Sequence, residues 1–193
     1  KKNLLTAFQS ALRDVLHLSR SLTELEAVIG LHEIKAAALF TKNPEEQNRI
    51  IRLWTEYVKN SPAPPPLFPQ AVQTLLELRD RQAVTGIVTS KTAEHMKHDF
   101  NKHQINDLFD VLITSDQTSH PKPHPEPLEL ALQKTGSSKD ACLYVGDTYS
   151  DLLCAKNCGV SFALALWGAK DDPRLGDADY KLRQFSDLLA FVS

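Results

Sequence analysis

The chain has 193 residues, enough for one domain or one domain with a small insertion and for a real hydrophobic core. Hydrophobic residues make up 42% and charged residues 24%, and 22 Lys and Arg against 24 Asp and Glu leave a formal charge of −2. That balance excludes the basic footprint of a nucleic-acid or acidic-membrane partner, and no apolar run reaches the roughly 18 residues of a membrane span. No signal peptide is visible. The three cysteines, Cys142, Cys154 and Cys158, are too few and odd in number for a disulfide framework, and they suit a reducing cytoplasm. Cys154 and Cys158 share a helix face and read as small buried apolar residues.

The first third reads as helices. Leu4, Leu5, Phe8, Ala11, Leu12 and Val15 recur at three- and four-residue spacing, the pattern of an amphipathic helix. Ser21 or Thr23 is placed to cap a second helix over Glu24–Ile29, which Gly30 ends. A third runs over about Glu33–Phe40. Asn43-Pro44-Glu45-Glu46 is a strong helix start, and that helix carries Ile50, Ile51, Leu53, Trp54 and Tyr57 to about Lys59. Residues 1–60 therefore read as a helical bundle. The stretch Ser61-Pro62-Ala63-Pro64-Pro65-Pro66 is stiff and extended, and it reads as a hinge or linker at a domain boundary; a plain surface loop is the other reading.

Beyond the prolines the pattern alternates. A helix over about Gln70–Gln82 leads to the apolar run Val84–Thr89, and a helix over Ala93–His103 leads to Val111–Thr114. A helix over Pro127–Thr135 leads to Cys142–Gly146, a helix over Asp151–Cys158 leads to Phe162–Leu166, and a last helix covers about Phe185–Val192. Short apolar strands alternating with helices predict an α/β fold with a parallel sheet covered on both faces. Right-handed crossovers line up the strand C-termini along one edge, where such folds hold ligands. His95 and His98, three residues apart on one predicted helix with His103 further along, read as a solvated polar face, a metal site being the other reading.

Each strand end carries chemistry. Thr89-Ser90-Lys91 places two hydroxyls and backbone N–H groups at a helix N-terminus, a ready anion site, although alone it reads equally as a helix cap. Lys122, set among prolines in Pro121-Lys122-Pro123-His124-Pro125, presents a cation at a fixed place; alone it is a surface lysine. Asp147 and Asp151 in Gly146-Asp147-Thr148-Tyr149-Ser150-Asp151 converge on one point at a strand-to-helix turn and offer hard oxygen ligands suited to Mg²⁺. Alone they also read as a turn residue and a first-turn acid favoured by the helix dipole. Hydroxyl, lysine and acid pair, in order and each past a predicted strand, together suit a phosphoryl group.

The stretches Gly86-Ile87-Val88-Thr89-Ser90-Lys91, Lys122-Pro123-His124-Pro125-Glu126-Pro127 and Tyr144-Val145-Gly146-Asp147-Thr148-Tyr149-Ser150-Asp151 resemble motifs II, III and IV of the haloacid dehalogenase superfamily. The helical first third resembles the α-helical cap of the subfamily holding phosphoglycolate phosphatases, pyrophosphatases and β-phosphoglucomutases. The resemblance implies a Rossmann-like core over residues 65–193 and a cap, with its entry helix, over residues 1–64. It implies that Thr89 hydrogen-bonds the transferring phosphoryl group with help from the Ser90 amide, that Lys122 screens phosphate and nucleophile, and that Asp147 and Asp151 hold Mg²⁺. Gly30-Leu31-His32 resembles a cap turn that faces the substrate, which makes His32 a candidate for specificity. Trp167-Gly168 ends the last predicted strand, where an aromatic could wall the pocket; core packing is the plainer reading.

One expected motif is missing. The superfamily's DxD motif, with the nucleophilic Asp and an acid/base Asp at the end of the central strand, has no counterpart. Asp177-Ala178-Asp179 lies too late and has no predicted strand before it. The chain also opens Lys1-Lys2-Asn3 without Met. The expectation is that the central strand and its motif lie on an upstream segment, and that residues 1–193 alone do not turn over substrate. The activity implied is Mg²⁺-dependent hydrolysis of a small phosphorylated metabolite through an aspartyl-phosphate, by a monomer or homodimer, with phosphoglycolate first and pyrophosphate close behind. A sugar-phosphate mutase is a further alternative, and a non-catalytic phosphate-binding module is the rival from another class.

Overall fold

The computed structural model describes residues 2–60 and 66–192, so most of the proline run, Ser61–Pro65, lies outside the described residues. In chain order the elements are α1 (Lys2–Leu16), α2 (Glu33–Ala38), α3 (Pro44–Lys59), α4 (Ala71–Asp80), β1 (Gly86–Val88), α5 (Ala93–His103), β2 (Val111–Ile113), α6 (Glu126–Thr135), β3 (Leu143–Gly146), α7 (Tyr149–Cys158), β4 (Ser161–Ala165) and β5 (Tyr180–Leu182). The chain divides into two compact units, one of residues 1–66 and 93–102, the other of residues 67–92 and 103–193. Among the described residues no helix is long and apolar enough to cross a membrane.

The first unit is helical, as its periodicity predicts. Leu5, Phe8 and Leu12 of α1 and Ile50 and Trp54 of α3 are buried together with Leu25 and Val28. The Phe8 ring lies 4.5 Å from the Trp54 ring and 5.6 Å from Phe40, and the Trp54 indole N–H donates to Leu4 O at 3.0 Å. An indole is buried at little cost only when its N–H finds an acceptor, and here it does. Asn43 caps α3 by accepting from Glu45 N at 2.9 Å, with Pro44 in the first turn. The segment Glu24–Val28 closes as a 3₁₀ turn rather than an α-helix, held by Ser21 and Glu24.

His95 corrects the reading of its helix as a solvated polar face. It is 4% exposed, and its Nδ1 lies 2.5 Å from Glu33 Oε1, also buried. A carboxylate partner removes the penalty that an imidazole without a partner would meet inside. The pair ties α5 to the start of α2 within the first unit. The side chain of His98 lies outside what is described.

The second unit carries the sheet strands, and every pairing is parallel. β1 pairs with β2 from Gly86↔Val111 to Val88↔Ile113; β4 pairs with β3 on one side and β5 on the other. The strand order is β1-β2 in one sheet and β3-β4-β5 in a second. Among the described residues β1 and β3 each keep one edge without a ladder partner. The core holds Leu128, Leu152, Cys154, Cys158, Val160 and Phe162, and the two cysteines are free thiols, as expected of small apolar fillers. β5 was not foreseen. Only Leu182 of its three residues is buried, so it makes no apolar run, and it forms because β4 offers it an edge. The final segment Phe185–Phe191 is 3₁₀ rather than α-helical.

Candidate active site

The loop after β3 is built first by the backbone. Thr148 caps α7: its Oγ1 accepts from Asp151 N at 3.2 Å, while Asp151 Oδ2 accepts from Thr148 N at 3.1 Å and from Thr148 Oγ1 at 2.6 Å. This reciprocal box satisfies two of the helix's unpaired N–H groups and fixes the Asp151 carboxylate at the positive end of the helix dipole. Gly146 is required beneath it, because a Cβ there would stand 2.5 Å from Asp151 Cβ and 2.8 Å from its Cγ. Asp147 is held from the other side. A Cβ at Gly168, in the turn after β4, would stand 2.5 Å from Asp147 Oδ2 and 3.0 Å from its Cβ, so that turn lies close against the Asp147 side chain.

Lys122 joins this loop to the end of β1. Its Nζ donates to Asp151 Oδ1 at 2.6 Å and lies 3.3 Å from Tyr144 Oη and 3.4 Å from Val88 O. The side chains of Lys122 and Asp151 are 10% and 8% exposed, so this is a buried ion pair. Burial opposes the Lys122 charge, but the Tyr144 and Asp151 oxygens outweigh it and hold its pKa well above the ordinary lysine value. Burial likewise opposes the Asp151 carboxylate, and Lys122 and Thr148 outweigh that, holding it below the ordinary range. Burial pushes the Tyr144 phenol upward, so it is neutral at pH 7. The three N–H donors of Lys122 thus face three protein oxygens, the Val88 carbonyl being the most distant.

Val88 precedes Thr89. Thr89 N donates to Ile113 O at 2.9 Å, which extends the β1–β2 ladder by one rung, and Thr89 Oγ1 accepts from Lys91 N at 3.2 Å. Ser90 is half-buried beside it. The second unit therefore brings the ends of β1 and β3 together through Lys122, with Asp147 and Asp151 flanking the cap of α7. His32 lies in the first unit, where its Nδ1 accepts from Ile34 N at 3.3 Å as the N-cap of α2. Trp167 packs against Phe185 at 5.4 Å and Phe68 at 6.3 Å, an aromatic cluster. Asp179, the second acid of Asp177-Ala178-Asp179, accepts from Phe162 N at 2.8 Å and so braces the start of β4.

The sequence placed Tyr144, Gly146 and Thr148 within the motif without giving any of them a role of its own, and gave Gly168 none in the site. Thr148 was within reach, since a Thr three residues before an acid at a helix start is a capping-box signature. Tyr144 sits inside an apolar strand, where nothing local distinguishes its hydroxyl from a packed ring.

A family model described as haloacid dehalogenase-like hydrolase matches residues 1–165. The pyrophosphatase PpaX of Oceanobacillus iheyensis is 33% identical over 127 residues, covering 65% of this chain and 59% of that protein. The chain thus spans less than two thirds of the length of this curated relative. Among solved structures, a putative haloacid dehalogenase-like hydrolase from Bacteroides fragilis superimposes with a TM-score of 0.88 at 22% identity, covering 97% of this chain and 91% of that one. A putative phosphoglycolate phosphatase from Lactobacillus plantarum superimposes with a TM-score of 0.83 at 21% identity, covering 98% and 92%. At those identities the likeness establishes the fold, and the family match over residues 1–165 establishes membership: the chain belongs to the haloacid dehalogenase-like hydrolases.

Proposed function

We propose that this chain is the greater part of a Mg²⁺-dependent phosphohydrolase acting on a small phosphorylated metabolite, with residues 1–64 as the cap and residues 65–193 as the catalytic core. The observation that carries the reading is the buried Lys122, held between Val88 O at the end of β1 and Asp151 at the cap of α7. A fixed cation on the carbonyl of the residue before Thr89, ion-paired to the Asp151 carboxylate, suits the charge of a transferring phosphoryl group. Lys122 reaches a phosphoryl oxygen by exchanging its longest contact, the one to Val88 O, while Asp151 keeps it charged. Thr89 and Ser90 orient the same oxygens.

The donor set fits Mg²⁺. Mg²⁺ is bound by one or two carboxylates with waters and substrate phosphate completing its shell. Asp147, at the C-terminal end of β3 and ahead of the Thr148 cap, is the direct ligand. Both Asp151 oxygens are engaged by Lys122 and Thr148, so Asp151 acts on the metal from the outer shell. When bound, the ion supplies charge neutralisation at the phosphoryl oxygens. No residue within 1–193 is assigned as the attacking carboxylate. The substrate is a phosphate monoester such as phosphoglycolate. A second reading, cleavage of pyrophosphate, is favoured by the 33% identity with a pyrophosphatase.

The test is turnover of p-nitrophenyl phosphate with and without Mg²⁺, by protein extended upstream through a DxD motif, followed by a panel of phosphoglycolate, pyrophosphate and sugar phosphates. Asp147→Asn is expected to abolish Mg²⁺-dependent turnover. Wild-type rates in that variant would sink the assignment.

A further inference from the structure

The proline-rich segment that carries Lys122 also carries a cluster that the phosphoryl site does not use. Ligand atoms of His120, His124 and Glu126 all lie within 4.8 Å of one another. The two imidazole rings stack at 4.6 Å with 28° between their planes. Glu126 is pre-positioned: its Oε1 accepts from Ser119 N at 2.8 Å, and its Oε2 accepts from His120 N at 2.9 Å. His120 Nδ1 lies 2.7 Å from Glu126 Oε2, so one proton sits between an imidazole and a carboxylate. His124 Nδ1 accepts from Glu126 N at 3.2 Å, which fixes the orientation of the ring.

The backbone beneath is pinned. His124 N donates to Pro121 O at 3.1 Å, Asn157 Nδ2 donates to Pro123 O at 3.0 Å, and Cys154 Sγ donates to His124 O at 3.3 Å. The ordering cost that flexible surface histidines would meet on binding a metal is therefore largely met already.

We propose that His120, His124 and Glu126 form a second metal site, for a first-row transition ion of the Zn²⁺ class, separate from the Mg²⁺ site at Asp147. Two imidazoles and one carboxylate are the donor types that Zn²⁺ takes, whereas Mg²⁺ prefers oxygen alone. The ion replaces the proton between His120 Nδ1 and Glu126 Oε2, and that proton moves to the far ring nitrogen or to solvent. On His124 it takes the lone pair that now accepts from Glu126 N. Ligands on one tetrahedral Zn²⁺ stand about 3.3 Å apart, so side-chain rotations of an ångström or so close the cluster. Water fills the remaining position. The proposal is independent of the phosphohydrolase reading, because it needs neither substrate nor nucleophile.

The test is a competition titration of the 193-residue chain with Zn²⁺ against a chromophoric chelator, in excess Mg²⁺ to occupy the acidic loop. One equivalent of Zn²⁺ is expected to bind. His120→Ala and His124→Ala, both exposed positions, are each expected to weaken it more than about tenfold, the loss typical of metal-site disruption. Glu126→Gln, which keeps a carbonyl oxygen for the backbone contacts, is expected to weaken it as well. Asp147→Asn and Cys142→Ser are expected to leave it unchanged, and Co²⁺ in place of Zn²⁺ is expected to show no thiolate charge-transfer band. Equal Zn²⁺ affinity in the wild type and the double His→Ala variant would overturn the proposal. So would loss of the site in Asp147→Asn or in Cys142→Ser.

Discussion

Lys122 and Asp151 are each tolerable inside the second unit only because of the other. Removing one member of a buried ion pair leaves its partner charged and desolvated, a loss of about 3–5 kcal/mol. Lys122→Met is therefore expected to lower unfolding stability by that order, read as a shift of the urea midpoint at unchanged slope. A change under about 1 kcal/mol would mean that the pair is solvated in solution. At this scale the sequence was uneven as a guide. Thr89, Lys122, Asp147 and Asp151 stand out because each follows a strand and each is of a type that phosphate chemistry uses. That Asp151 would spend one oxygen on Lys122 and the other on Thr148 was not legible, because Lys122 is 29 residues away. His95 shows the same limit: its polar face is satisfied by Glu33, 62 residues earlier, and no local pattern announces such a partner.

Helix α7 shows how an element inherits a pH dependence from one side chain. Its capping box and its ion pair both need Asp151 ionised. The folded-state pKa of Asp151 is depressed below its ordinary value of 3.8, so the unfolded chain binds a proton first as pH falls. The stability it contributes is fully present above about pH 4 and is lost as pH drops through the depressed value. Lys122 has the opposite sign. Its folded pKa is raised above 10.5, so its contribution is whole below that pH and fades only as pH climbs through the raised value. Between those limits the pair is expected to impose no slope on stability. Urea unfolding from pH 7 down to pH 3 should show the acid loss in wild type. In Asp151→Asn that loss should be smaller, and an unchanged acid slope would remove Asp151 as its source. Element by element, strands bounded by Gly and acidic residues were legible from apolar runs, whereas β5 was not, because an edge strand with one buried side chain leaves no periodic trace.

At the scale of the molecule, the described strands form two sheets, β1-β2 and β3-β4-β5. The alternation of helices and strands predicts a parallel sheet, and every strand pair found is parallel. Interior strands of such a sheet are normally buried on both faces. β4 meets that rule over Phe162–Ala165, whereas β1 is exposed to half-buried and β3 is mostly half-buried.

The edges that β1 and β3 keep without a ladder partner among the described residues have a consequence for the protein in the tube. Backbone N–H and C=O groups along a free strand side recruit whatever extended chain is nearby, and parallel order leaves the neighbouring Ile87, Val88 and Val145 to recruit apolar company as well. The 193 residues handled by themselves are therefore expected to self-associate with rising concentration, by mutual strand lending rather than through a shaped interface. Sedimentation velocity across a concentration series would show growing species, and a synthetic strand peptide should suppress them; a monodisperse monomer throughout would mean that those edges are shielded.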